Sequence, residues 1–212
     1  EGKIYRITPR DNNAVNDSWM PDSGRRLYKQ VESENRLLSC KIGGADASFG
    51  DAVNKAASVL GSAKLAIVGS AHSSVEEQFA LALLAKARNA PAHVPAHPGE
   101  GDGMLISADR SPNTRGALVT GLISALPKAR LSELETAIGS GKIDALLVIR
   151  EDVTQAGIDA AKLAGIRVVY IGTHSNATSQ AAQVVIPAPT VFERAGTFIN
   201  QNFRIQKFNA CV

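Results

Sequence analysis

The turn Gly69-Ser70-Ala71-His72-Ser73-Ser74 is where this sequence most plainly offers chemistry. It joins the all-apolar run Leu65-Ala66-Ile67-Val68 to a segment that starts Ser74-Val75-Glu76-Glu77. A turn between a buried strand and a helix start presents free backbone N–H groups and the positive end of the helix dipole, which suit a phosphate. The hexapeptide is neither G-x-G-x-x-G nor a Walker loop. A tight βα turn closed by the capping box Ser74-x-x-Glu77 therefore stands beside a phosphate site as a reading. His72 and His174 each follow an expected strand, at the ligand-facing edge of a parallel sheet. With Ser70, Ser73, Thr173 and Asn176 they outline one candidate pocket, and Asn113 adds an amide from the polar turn 109–117.

Other reactive residues assemble less well. His93 and His97 are spaced for a metal on a helix, but Pro95 between them and Pro91 and Pro98 around them forbid that helix, so they read as loop histidines. No G-x-S-x-G elbow accompanies the serines. Asp22, Asp109, Glu151 and Asp152 fall in turns or at strand ends and read as solvated carboxylates. Thr114 or Asn113 can cap a helix, and Arg110 and Arg115 beside it could hold a phosphate or a partner's carboxylate. Cys40 and Cys211 are the only cysteines. They cannot build a zinc site or an iron–sulfur cluster by themselves, and a reducing compartment follows.

The elements that must position these residues alternate. Strands are expected at 65–68, 93–95, 145–149, 168–171 and 184–186. Helices are expected at 49–60, 74–88, 114–126, 131–139 and 154–164, the last ending on Gly165 as a C′ glycine. Strand–helix–strand units at this spacing build a parallel sheet through right-handed crossovers. The fold class is therefore α/β, a Rossmann-like three-layer parallel sheet with helices on both faces. A strand over 3–8 and a polar, irregular stretch to residue 38 precede it, and Gly43-Gly44 forms a joint. Residues 1–44 are read as an N-terminal strand and irregular segment, and 45–212 as the α/β domain.

The chain has 212 residues, enough to bury roughly 70% of its unfolded surface. Aromatics make up 5% of it, and the abundant Ala and Gly favour close helix-on-sheet packing. The net charge is +3 with both signs mixed, so a sequence pI near 9.0 comes with no basic block and no nucleic-acid partner is expected. No apolar run nears the ~20 residues of a membrane span, so no direct membrane insertion is expected. There is no signal-peptide pattern. The chain opens on Glu1 with no initiator Met, and a fragment of something longer is expected.

Four segments together resemble one family. Gly2-Lys3-Ile4-Tyr5-Arg6-Ile7-Thr8-Pro9-Arg10 with Val15-Asn16 and Trp19-Met20-Pro21-Asp22-Ser23-Gly24-Arg25 resembles the stretch that closes the iron–sulfur region in the large, G-type iron–sulfur subunit of NADH:quinone oxidoreductase, respiratory complex I. The Ile67-Val68-Gly69 turn, Asn113-x-Arg115-Gly116-Ala117, and Glu193…Gly196-Thr197-Phe198…Asn200…Arg204-x-Gln206 are similar to that subunit's molybdopterin-oxidoreductase-like domain. The family's last [4Fe–4S] ligand falls at Pro21, which has no thiolate and no N–H, so this position binds no iron. Phe203 stands where the family has Gly before its Arg, and Gln183 where its strand often starts with Asp.

The resemblance implies a mainly structural, non-catalytic α/β domain with no cofactor of its own, in a parent protein that carries 2Fe-2S and 4Fe-4S clusters. It implies partners among the subunits of the complex's peripheral arm, electron transport from NADH to quinone, and a place on the cytoplasmic side, associated peripherally with the inner membrane. The alternative is a molybdopterin- or nucleotide-binding domain of a formate-dehydrogenase-like oxidoreductase, with its pocket at Ser70, His72, Ser73, Asn113, His174 and Asn176. In the tail, Glu193 is expected to accept backbone N–H bonds at a turn or helix start, and Phe198 to anchor the tail against the sheet.

Overall fold

Strands made of runs such as Leu65–Val68 and Ala145–Ile149 carry no polar side chain, so both their faces must be covered. The computed structural model, which describes residues 3–104 and 106–211, covers them. In chain order the elements are α1 (Asp22–Arg25), a 3₁₀ turn (Leu27–Gln30), β1 (Cys40–Ile42), β2 (Ala45–Ala47), α2 (Phe49–Leu60), β3 (Leu65–Val68), α3 (Val75–Arg88) and β4 (Ala92–His93). Then come α4 (Thr114–Val119), α5 (Ser132–Gly139), β5 (Ala145–Ile149), α6 (Ala160–Ala164), β6 (Arg167–Gly172), α7 (Ala177–Ala181), β7 (Val184–Pro187), β8 (Gly196–Ile199) and β9 (Ile205–Phe208).

Seven strands form one sheet in the order β2-β1-β7-β6-β5-β3-β4. The run from β7 to β4 is parallel, while β1 pairs antiparallel with both β7 and β2. Alternate residues of each strand feed opposite cores. Ile67, Leu147 and Val169 pack under Ala52 and Leu60 of α2 and Leu81 and Ala85 of α3. Val68, Leu146 and Val168 pack under Leu134 and Ile138 of α5 and Leu163 of α6. That is the three-layer α/β arrangement, with helices on both faces. The hairpin β8–β9 stands outside the sheet and lies against α3 and α4.

Several elements differ from expectation. Residues 3–8 are not a strand, and the β pairing near the N-terminus is a single bridge between Asn12 and Asp17; Gly2 lies outside the described residues. Gly43 and Gly44, at φ +58° and +86°, are the two central residues of a tight hairpin that joins β1 to β2. The helix expected over 114–126 stops at Val119, because Gly121 turns left-handed at φ +75°. The helix expected over 154–164 starts only at Ala160, after Gly157 turns at φ +96° and the Asp159 carboxylate caps the N–H of Ala161. Gly165 ends it at φ −88°, so it is not a left-handed C′ glycine. Phe198 lies in the hairpin that stands apart from the seven-stranded sheet, where its ring packs on Phe208 with centroids 4.7 Å apart.

Candidate functional site

From β3 the chain steps to β4 on one side, then returns to β5 on the other. In open α/β sheets ligands bind at such a reversal, in the crevice outside the carboxyl ends of the strands, here β3 and β5. The turn 69–74 and the loop after β5 meet there. The capping box of α3 is present in full: Glu77 N donates to Ser74 Oγ at 3.3 Å, and Ser74 N donates to Glu77 Oε2 at 2.7 Å. The same Glu77 carboxylate pairs with Arg150 Nη2 at 2.8 Å and with Arg194 Nη1 at 2.6 Å. Arg150 reaches it from a left-handed backbone at φ +58° and also donates to Pro189 O at 2.9 Å. Arg194 donates to His72 O at 3.0 Å. Burial and the neighbouring Arg150 charge pull the Arg194 guanidinium below its ordinary value, against Glu77 and Glu76. A carboxylate from the helix itself thus sits at the positive end of α3, held by two arginines.

Four of the expected site residues gather around this turn. Ser70 is buried; its hydroxyl accepts from His72 N at 3.0 Å and its carbonyl from Gln78 Nε2 at 3.1 Å. Asn113 is also buried, and it is a hub rather than a helix cap. Its Nδ2 donates to Ser73 O at 2.7 Å and to Gln78 Oε1 at 3.1 Å, and its Oδ1 accepts from Ile199 N at 2.7 Å. Ser73 is buried as well, and its Oγ meets no hydrogen-bond partner among the described residues. His72 is exposed, but neighbours crowd its ring, which lies 5.5 Å from that of His97. That desolvation pulls the His72 imidazole below its ordinary value, Glu151 pulls it up, and His97 and Arg150 push it down.

Glu151 overturns its reading as a solvated carboxylate. It is 3% exposed and holds His97 Nε2 at 3.1 Å. The hydrogen bond to Glu151 raises the His97 pKa, burial opposes it, and the charges of Glu151 and Asp109 add to the rise. Arg110 and Arg115 go elsewhere: the first donates to Glu100 O, and the second lies 5.7 Å over the Phe203 ring.

The remaining candidates stand apart, on the loop after β6, with β5 between the two groups. Segment 30–37 covers them. Leu37 N donates to Thr173 O at 3.0 Å, Ser175 N to Asn35 O at 2.7 Å, and His174 Nε2 lies 2.9 Å from Gln30 O. Asn176 caps α7, where its Oδ1 accepts from Ser179 N at 2.9 Å, and its Nδ2 donates to Tyr170 Oη at 3.0 Å. Burial, only partly offset by that bond from Asn176, pushes the Tyr170 phenol up to about 12. Arg36 closes the edge. It donates to Thr173 O at 3.0 Å and pairs at 2.9 Å with Glu193, whose carboxylate also accepts from Thr190 N at 2.6 Å. Glu193 therefore serves a turn, as expected. Burial pushes its pKa up, but the bonds from Thr190 and the charge of Arg36 outweigh that and leave it below the usual value.

Sequence reasoning missed Arg150 and Arg194, and saw Glu77 only as a cap. The partners are 73 and 117 residues from Glu77, so no local spacing announces them. The one signal in the sequence was charge next to the expected crevice: Arg150 directly follows β5, and Arg194 directly follows Glu193 in the tail motif.

Residues 36–212 match the molybdopterin oxidoreductase family. Over 77 residues, 34% of this chain, the sequence is 42% identical to the G-type subunit of the NADH-quinone oxidoreductase of Pseudomonas putida. That match covers 8% of the relative's length, so this chain spans a small part of it. No helix of the described residues is long and apolar enough to cross a membrane.

Proposed function

The chain belongs to the molybdopterin oxidoreductase family, and on that premise we propose that it is a mainly structural, non-catalytic module of a G-type large iron–sulfur subunit of NADH:quinone oxidoreductase. It braces neighbouring domains that carry 2Fe-2S and 4Fe-4S clusters, and through them serves electron transport from NADH to quinone. It packs among the subunits of the peripheral arm, on the cytoplasmic side of the inner membrane.

One observation carries this reading. The crevice where the fold would seat an anionic cofactor already contains an anion, the Glu77 carboxylate, bridged by Arg150 and Arg194. A molybdopterin phosphate placed at the start of α3 would have to displace that carboxylate or stand beside it, and like charges at close range repel. The other polar groups of the candidate pocket fit such a ligand no better. Ser70, Asn113, His174 and Asn176 spend their side chains on the protein's own backbone and neighbouring side chains.

Calorimetric titration of the chain with GDP and with NADH tests the proposal. We expect no binding tighter than about 100 μM, which corresponds to roughly −5.5 kcal/mol. Tighter binding to the intact crevice would overturn it. Such a result would support the second reading, a molybdopterin- or nucleotide-binding domain of a formate-dehydrogenase-like oxidoreductase. The features that favour that reading are buried polar atoms with no partner among the described residues: Ser73 Oγ, one residue before the α3 cap, and the Nε atoms of Arg150 and Arg194.

A further inference from the structure

At the parallel end of the sheet, β4 is the last strand and, among the described residues, pairs only with β3. Ile67 N donates to Pro91 O and Gly69 N to His93 O, each at 2.9 Å, so residues 91 and 93 turn their carbonyls inward. Backbone groups of successive strand residues alternate sides, which turns the N–H and C=O of Ala92 outward. They face a cleft of about 1060 Å³ bounded by the end of α3, residues 121–128 and the start of α5.

Shape and charge of the cleft select its occupant. The floor is apolar and low: Ala85, Val94, Leu122, Leu131 and Leu134 are buried along it. The rim is basic. Lys86, Lys128 and Arg130 are exposed, and none of them forms an ion pair among the described residues. Glu133 is the one carboxylate in the lining among the described residues. The first turn of α5 opens here too, without a side-chain cap from Leu131, and its dipole adds to the positive side while Glu133 offsets part of it.

We propose that this cleft takes an extended, acidic segment of a partner protein as an added strand beside β4. The outward N–H and C=O of Ala92 supply main-chain bonds, alternate side chains of the segment settle on the apolar floor, and its carboxylates meet Lys86, Lys128 and Arg130. The inference rests on the module reading for the presence of partner subunits and adds the chemistry of one contact.

The test is an NMR titration of the nitrogen-labelled 212-residue chain with an acetylated peptide of alternating glutamate and valine. Saturable shifts are expected at the amides of Ala92, His93 and Val94. The variant Lys86→Glu/Lys128→Glu/Arg130→Glu should weaken binding at least about tenfold with the melting temperature unchanged, because all three side chains are exposed. Several results would overturn the proposal: no binding, equal binding of an alternating lysine–valine peptide, shifts that bypass β4, or a single-stranded oligonucleotide that competes at equal affinity. A dimer of the chain that the triple variant abolishes would reassign the cleft to self-association and overturn it as well. Failure here leaves the Glu77 argument untouched, whereas nucleotide binding would sink the module reading and leave this cleft as it is.

Discussion

Replacing Asn113 by Ala should be among the most damaging single changes in the molecule. The side chain is fully buried and makes three bonds: to Ser73 O at 2.7 Å, to Gln78 Oε1 at 3.1 Å and from Ile199 N at 2.7 Å. Ala strands all three partners away from water. Each stranded group costs about 1–3 kcal/mol, with the low end for carbonyls that keep a second lone pair or regain a water. A total of about 3–5 kcal/mol follows, and at roughly 2–4 °C per kcal/mol for a domain of this size the melting temperature should fall by about 10 °C. Urea unfolding should show a lower midpoint with an unchanged slope. The loss also has an address, because Asn113 ties the tail to the turn after β3, so amide exchange should accelerate first along β8 and β9. Asn113→Leu separates bonding from packing, since it keeps most of the volume and none of the bonds. If it unfolds within about 1 kcal/mol of the parent chain, the hydrogen bonds contribute little and the reasoning fails.

Three other perturbations follow from the same geometry. A Cβ on Gly196 would stand 2.8 Å from Ser74 Cβ and 3.0 Å from the Phe208 ring, so Gly196→Ala must push β8 off the start of α3; a loss of about 1–3 kcal/mol is expected in thermal unfolding. Phe198 is half-buried against Phe208, so Phe198→Ala should cost about 2 kcal/mol rather than the ~3–5 kcal/mol of a fully buried ring; an unchanged melting temperature would show that the hairpin holds by other contacts. His97 is raised above its ordinary value of 6.5 by Glu151, so its contribution is present in full below that value and lost as pH rises through the folded pKa. The melting-temperature gap between the parent chain and His97→Gln, which keeps a donor but no charge, should therefore be larger near pH 6 than near pH 8, and a gap that grows with pH would refute the assignment.

The parallel core was legible because its signals are local. Leu65–Val68 and Ala145–Ile149 are unbroken apolar runs, and the Ser74–Glu77 capping box fixed the start of α3 to the residue. The two hairpins were not. β1 and β2 are three residues each, with Lys41 paired to Asp46 at 3.2 Å on their exposed side, too short and too polar to show a period. Between β8 and β9 the left-handed position is held by Phe203 at φ +59°, where a glycine would have announced the turn. The candidate pocket was half legible. Its residues do line the carboxyl edge of the sheet, but the contacts of His174 with Gln30 and of Asn113 with Ile199 reach segments that only the folded chain brings there.

In the tail motif Glu193, Gly196 and Asn200 each serve the chain itself. Glu193 closes a turn through Thr190 and clamps Arg36, and with it segment 30–37. Its neighbour Arg194 clamps Glu77 and the carbonyl of His72. Gly196 is required by the close passage of β8 over Ser74. Asn200 accepts from Asn202 N and Arg204 N, each at 3.0 Å, and so shapes the loop that returns the chain to β9. Arg194 Nη1 donates to the Glu77 carboxylate and Ile199 N to Asn113 Oδ1, while Arg194 Nε, Arg150 Nε and Ser73 Oγ are buried with no partner among the described residues, so the stability of the carboxyl edge depends on the tail staying docked. The physical consequence is a coupling: a perturbation that lifts the β8–β9 hairpin should also pull the adjoining Arg194 off Glu77, leaving that carboxylate to Arg150.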